Sequence, residues 1–358
     1  MEQKTIFYNV TEAPFKIHGL LPVTPENGFR RMPESVFECM TAPLMKEQRL
    51  HTNTAGGRVR FRTDATSITL KAKLDPSDYS ANSSDLLRRN FDLYREFGGK
   101  EFFETTFISW EESHAQGNKE QTRVLKGEGM RDFTLYMPCY GNVYSLELGF
   151  PEGAKIEAAA PYKFETPVVF LGSSITQGGC ACRSGVTYQA YLSRRLGFDY
   201  INLGFSGSCR AEKELMEYIA DLPMSAFVYD YDHNSPSEEH YEQTHLEGYK
   251  IIREKNPDLP FIIVTKPDFM FGRDSDVIRR ITAQKTFHYA FEHGDRNVYY
   301  IDGSSFFTGS DRGDFTTDMC HPNDAGMLRM ADAMTDTLHY ALHKISDKVT
   351  VEKHADIW

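Results

Sequence analysis

The sequence predicts two folded parts in series: an antiparallel β-sandwich, then an α/β domain whose parallel sheet is covered on both faces. Two patterns and the chain's size point to this. Before the Gly-, Ala-, Pro- and charge-rich stretch from Pro151 to Pro167, apolar and polar residues alternate with period two. After it, short apolar runs take turns with longer helical patterns. With 358 residues, 40% of them apolar, the chain can fill two ordinary cores. The expected division is 1–160 and 161–358.

In the first part, strands are expected at 58–62, 67–73, 103–108, 132–136 and 143–148, each bounded by Gly, Pro, Asp or Asn. The aromatic stretch Phe91, Tyr94, Phe97, Phe102, Phe103, Phe107 and Trp110 reads most simply as sandwich core, with a sugar-stacking platform as the other reading.

In the second part, the strand-like runs are 168–171, 200–203, 226–229, 261–265 and 298–301. Helices are expected over 187–196, closed by Gly197, then over 211–221, 237–255 entered through Ser235-Pro236, and 274–293. A last helix, 324–345, is expected to place Leu328, Ala331, Met334, Leu338, Leu342 and Ile345 on one face. Such a sheet binds ligands beyond the carboxyl ends of its strands, so chemistry is expected in the loops that follow these runs.

Composition excludes several functions. Forty Lys and Arg against 51 Asp and Glu give a formal charge of −11 with no basic run, which argues against nucleic acid. No apolar run approaches the roughly 20 residues of a spanning helix. The N-terminus lacks the apolar core of a secretory signal, so the chain as it stands reads as cytoplasmic, although a removed leader would leave no trace. Six cysteines without paired Cys-x-x-Cys knuckles indicate reduced thiols, and the Cys180-x-Cys182 spacing does not suit zinc. Nothing in the sequence fixes the number of subunits; a homo-oligomer is compatible with it.

The loops after the strands carry the chemistry. They are Gly172-Ser173-Ser174-Ile175-Thr176, Asn202-Leu203-Gly204-Phe205-Ser206-Gly207, Asp230-Tyr231-Asp232-His233-Asn234 and Asp318-Met319-Cys320-His321-Pro322-Asn323. Together they supply a serine hydrolase: Ser174 as nucleophile, His321 as base and Asp318 to fix the imidazole tautomer. The Ser174 and Gly207 N–H groups and the Asn234 amide are candidate oxyanion donors. Ser173 is the alternative nucleophile. Alone, Gly-Ser-Ser is an ordinary turn, Asn234 a helix cap and Gly207 a turn glycine; the order of the blocks favours the catalytic reading. His233, Phe269 and Phe271 are expected to line the substrate cleft. A metal held by Asp230, Asp232 and His233 is disfavoured, since strand alternation sends neighbouring side chains to opposite sides.

These four blocks resemble the SGNH (GDSL-type) hydrolase superfamily over roughly residues 165–345. The resemblance implies a flavodoxin-like three-layer fold and an acyl-enzyme mechanism without metal or organic cofactor. Ser173 departs from the Asp of that pattern, and Asp232-His233 departs from the Gly and small residue usual before the Asn. Asn90-Phe91-Asp92-Leu93-Tyr94 is similar to the Gly-x-Asp-Leu-Tyr motif of a β-sandwich, jelly-roll-like, that precedes one esterase branch. Asn for Gly is expected to be tolerated because both accept positive φ.

That branch implies removal of a short acyl group, acetyl first, from a carbohydrate or oligosaccharide ester. The alternatives are a lipid or platelet-activating-factor-like acyl hydrolase and a carbohydrate-binding protein without turnover.

Overall fold

The structure is a computed structural model that describes residues 4–75, 82–108, 117–267 and 274–355. Phe269, Phe271 and Trp110 lie outside them.

Among the described residues, ten strands build the first part: β1 (Thr5–Asn9), β2 (Lys16–His18), β3 (Arg58–Thr63), β4 (Ser67–Leu74), β5 (Phe91–Phe97), β6 (Lys100–Phe107), β7 (Asn118–Val124), β8 (Arg131–Tyr136), β9 (Val143–Pro151) and β10 (Ile156–Glu157). They form two antiparallel sheets, β1-β9-β4-β7 and β10-β3-β8-β5-β6, with β2 added against β3. Alternation fixes the register. Ile68, Leu70, Ala72 and Leu74 of β4 point inward, meeting Leu148 and Phe150 of β9 and Phe61, Phe133 and Leu135 of the facing sheet.

The aromatic stretch divides. Phe91 and Phe107 are core, but Phe97, Phe102 and Phe103 are 73%, 50% and 46% exposed, and Tyr94 packs with Tyr136 and Ala190. Asn90 is a correction of reason. Its φ is −106°, ordinary extended backbone, so glycine's freedom is not what the position needs. Its side chain instead accepts a hydrogen bond from the buried Lys119 ammonium.

The second part is a five-stranded parallel sheet of order β12-β11-β13-β14-β15, made of β11 (Phe164–Gly172), β12 (Phe198–Gly204), β13 (Ala226–Asp230), β14 (Phe261–Val264) and β15 (Val298–Ile301). That is the flavodoxin-like order. Helices Tyr188–Leu196 and Asp324–Ala355 cover one face; Lys213–Ala220, Glu238–Lys255 and Asp274–Glu292 cover the other. Gly197 ends its helix in the left-handed region at φ 77°, as the sequence predicts. Ser237, rather than the Ser235-Pro236 pair, caps the next helix by accepting the His240 N–H. The buried stripe of the last helix is Met327, Met330, Ala331, Met334, Leu338, Ala341 and Leu342, while Leu328 is exposed. Among the described residues no helix is long and apolar enough to cross a membrane.

The two parts interlock. Met32, Phe37, Met40, Met45 and Leu50, upstream of β3, belong to the same core as Val169, Leu203 and Leu215. Arg31 is buried there and donates to the carbonyls of Leu50, Asn53, Asn202 and Gly204. Arg58 reaches Asp199 and the Tyr200 carbonyl. Asp92 and Tyr94 of the Asp-Leu-Tyr motif grip the turn 183–186: Asp92 accepts the Gly185 N–H at 2.7 Å, and the Tyr94 hydroxyl donates to the Gly185 carbonyl at 3.0 Å. A Cβ at Gly185 would come within 2.4 Å of the Tyr94 ring, so the turn needs glycine for space.

Candidate active site

The turn after β11 begins with Ser173, whose hydroxyl accepts the Ile175 N–H and so caps the four-residue helix Ser174–Gln177. That use leaves Ser174 as the serine that faces the next loop. Its Oγ lies 2.8 Å from His321 Nε2, and His321 Nδ1 lies 2.8 Å from Asp318 Oδ2. A carboxylate only accepts, so Nδ1 carries the proton and Nε2 accepts from the Ser174 hydroxyl. Asp318 Oδ1 also accepts the backbone N–H groups of Cys320 at 3.1 Å and His321 at 2.8 Å. Burial would raise Asp318, but the His321 N–H, the Asn82 amide and the imidazole outweigh it and lower the carboxyl to about 2. The group is therefore a carboxylate throughout the neutral range.

Gly207 sits at φ 62° in the loop after β12, and its N–H makes no hydrogen bond among the described residues. That loop is steered by Gln177, whose Oε1 accepts the Ser206 N–H at 2.8 Å. The same amide's Nε2 donates to Asn53 Oδ1 at 3.0 Å and to the Cys139 carbonyl at 3.2 Å, and Asn53 Nδ2 donates to Asn142 Oδ1 at 2.9 Å. A buried chain of amides thus runs from the sandwich to the loop bearing Gly207. Asn234 Oδ1 lies 3.5 Å from the Cys209 N–H, which leaves the amide's Nδ2 donors for a ligand.

Asp230, Asp232 and His233 do not bring three ligand atoms together among the described residues. Asp230 accepts the Thr176 and Tyr188 hydroxyls, and burial raises its carboxyl to about 6. Asp232 accepts the Lys266 N–H, and burial with the nearby Asp230 charge raises it to about 7. His233 is held well below the ordinary imidazole range by burial and by the charges of Lys266, His321 and Arg279, and its Nε2 has no hydrogen-bond partner among the described residues. It is not among the residues lining the cavity described next.

Beside His321 opens a cavity of about 660 Å³. Gly179, Cys180 and Ser206 contribute from the α/β side, but most of the wall comes from upstream residues: Leu44, Glu47, Gln48, Asn53, Asp75, Asn82, Ser83, Arg88, Tyr140 and Asn142. Reading the sequence missed these. They come from the connections between strands, some on the short helices Pro43–Gln48 and Asp85–Arg89 and the rest in loops, without motif spacing; Gln177, three residues after Ser174, is the exception that its position could have flagged. Cys180 is kept a thiol: burial and the Asp318 charge push it up to about 12. Its Sγ, Asp318 and His321 lie within 4.8 Å of one another.

Residues 165–339 match the GDSL-like Lipase/Acylhydrolase family, and residues 5–156 match the family described as the N-terminus of Esterase_SGNH_hydro-type. Residues 165–339 belong to the GDSL-like lipase/acylhydrolase family. The protein is a carboxylic ester hydrolase with an acylhydrolase domain behind a GxDLY-type sandwich.

The GDSL-like lipase of Bacteroides ovatus ATCC 8483 superposes with TM-score 0.83 at 28% identity, covering 95% of this chain and 98% of that one. A salicylyl-acyltransferase from a tetracycline biosynthetic pathway aligns with TM-score 0.76 at 18% identity, over 92% and 95% of the two chains. A family two carbohydrate esterase from Clostridium thermocellum, in complex with cellohexaose, aligns with TM-score 0.58 at 16% identity, over 81% and 93%. At these identities the last two speak for the fold. No match was found among curated proteins.

Proposed function

We propose that this acylhydrolase removes acetyl or another short acyl group from a hydroxyl of a carbohydrate, through an acyl-enzyme on Ser174. The observation that carries the proposal is the Ser174–His321–Asp318 hydrogen-bond relay beside a cavity walled by Glu47, Gln48, Asn53, Arg88 and Asn142. Amides and charged groups match a polyhydroxylated alcohol, whereas a long acyl chain calls for an apolar wall. Two solved structures of the same fold bear on the substrate: the carbohydrate esterase bound to cellohexaose and an acetyl xylan esterase from Butyrivibrio proteoclasticus.

In this mechanism His321 Nε2 takes the Ser174 proton as Oγ attacks the ester carbonyl, and Asp318 holds the imidazolium that results. The oxyanion meets the N–H groups of Ser174 and Gly207 and the Asn234 amide. Collapse breaks the ester bond, and His321 returns the proton to the departing sugar oxygen. Water, deprotonated by the same imidazole, then attacks the acyl-enzyme and frees the short acid.

The test is hydrolysis of p-nitrophenyl acetate, butyrate and octanoate by the wild type and Ser174→Ala, followed by acetylated saccharides. Acetyl preference lost by a factor of about 10⁴ or more in the variant supports the reading. Full activity in Ser174→Ala overturns it.

A further inference from the structure

Asp318 is held from both parts of the molecule. Its own loop supplies the N–H groups on Oδ1, while Oδ2 receives His321 Nδ1 at 2.8 Å and, from the other side of the domain boundary, the Asn82 amide at 2.9 Å. Asn82 stands just before the helix Asp85–Arg89, on the connection from β4 to β5. That connection is fixed against the segment behind Ser174: the Cys180 thiol donates to the Asn82 carbonyl at 3.0 Å, and the Ser84 hydroxyl donates to the Cys182 carbonyl. Asn82 also lines the cavity.

We propose that Asn82 is a positioning residue for the Asp318–His321 pair, so that the sandwich completes the relay of the acylhydrolase domain instead of serving as a separate binding module. This rests on the reading of Ser174, His321 and Asp318 given above. Two backbone N–H groups already hold Oδ1 and limit rotation about the Cβ–Cγ bond, while Oδ2 takes two donors. With the imidazole as its sole donor, Oδ2 would turn its full charge on the ring. The Asn82 amide shares that charge and holds this end of the carboxylate in line with Nδ1, which bears both on the direction of Nε2 and on how strongly the imidazolium is favoured. Ser174, Asn82 and the Cys180 thiol stand against this pair, His233 lies near enough to interact with His321, and Glu47, Asp75 and Arg88 share the cavity wall with His321. Asp318 is the carboxylate hydrogen-bonded to the imidazole, so a group that shares Oδ2 acts on the ring most directly.

The experiment uses the full chain with p-nitrophenyl acetate and records kcat and kcat/KM against pH for wild type, Asn82→Ala and Asn82→Asp, with melting temperatures as a check on folding. Asn82 is exposed, so both variants are expected to melt close to wild type. Asn82→Ala is expected to lower kcat about 10-fold, roughly the worth of one charge-assisted hydrogen bond, with KM little changed. Asn82→Asp puts a second carboxylate against Oδ2. Two such groups resist joint ionisation and together favour the imidazolium, so the acid limb of kcat/KM should move up by about one pH unit.

Losses of activity with an unmoved pH profile in both variants would mean a merely structural role and overturn the proposal, as would wild-type kcat in Asn82→Ala. A fully active Ser174→Ala is a different result: it would remove the serine mechanism itself.

Discussion

The carboxylate of Asp92 accepts the backbone N–H of Gly185 at 2.7 Å, joining β5 of the sandwich to the turn that leads from the Ser174 helix into Tyr188–Leu196. Arg183 stands on the same carboxylate at 3.4 Å and donates to the Tyr94 hydroxyl at 2.8 Å. Asp92 is buried, so removing it strands the Gly185 donor and part of the Arg183 fork out of reach of water. Each stranded buried donor costs about 1–3 kcal/mol. Asp92→Ala is therefore expected to lower the melting temperature by roughly 2–8 °C, and Asp92→Asn, which keeps an acceptor, by less. Scanning calorimetry decides it; equal melting of Asp92→Ala and wild type would mean the bond contributes nothing.

What could be read beforehand follows from how local the signal was. All five strands of the parallel sheet are apolar runs long enough to stand out, and each member of the candidate relay sits in the loop directly after one or before the last helix, so Ser174, Asp318 and His321 stand out by order and spacing. The Asp-Leu-Tyr motif was visible as a motif, but its work of gripping Gly185 was not, because that contact joins residues far apart in the chain. The cavity wall was illegible for the same reason. Glu47 and Asn53 come from the β2–β3 connection and Asn142 from the β8–β9 connection, and they converge only in the fold. Leu328 went wrong by one step of helical phase: the stripe runs through Met327 and Met330, which leaves Leu328 on the solvent side. Of the cleft residues expected beside the site, His233 is half-buried and is not among the residues lining this cavity, while Phe269 and Phe271 lie outside the described residues.

Asn234 should matter to the rate more than to binding. Its Oδ1 faces the Cys209 N–H, which leaves Nδ2 as a donor for developing charge, and a donor used only in the transition state changes kcat rather than KM. Asn234→Ala is expected to lower kcat 10²- to 10³-fold with KM within about 2-fold. Steady-state kinetics on p-nitrophenyl acetate test this; an equal rise in KM with kcat retained would remove the amide from the oxyanion site.

Arg88 should read the alcohol part of the substrate. It is half-buried in the cavity wall and makes no side-chain hydrogen bond or ion pair among the described residues, so its fork of donors faces the space where a saccharide would lie. Arg88→Gln is expected to raise KM for an acetylated oligosaccharide about 10-fold while leaving p-nitrophenyl acetate, which lacks sugar hydroxyls, within about 2-fold. Parallel losses on both esters would assign Arg88 to the fold rather than to recognition.

Asp232 gives the protein a stability that depends on pH in a set direction. Burial and the Asp230 charge raise its carboxyl to about 7, and Asp230 itself stands at about 6, both above the roughly 3.9 of an unfolded aspartate. A raised acid binds its proton more tightly when folded, so the stabilisation is complete below about pH 4 and is lost as pH rises through about 6 and 7. At pH 8 the folded state holds a buried carboxylate whose Oδ1 has no hydrogen-bond partner among the described residues. Asp232→Asn imitates the protonated form at every pH. Its melting temperature should differ little from wild type at pH 5 and exceed it at pH 8, by an amount on the order of 2–4 kcal/mol in stability. Groups that do not interact with Asp232, Asp318 among them, cancel in that difference. Thermal melts of the two proteins from pH 5 to 8 measure it, and a gap that stays constant across the range would show that Asp232 does not take up a proton on folding.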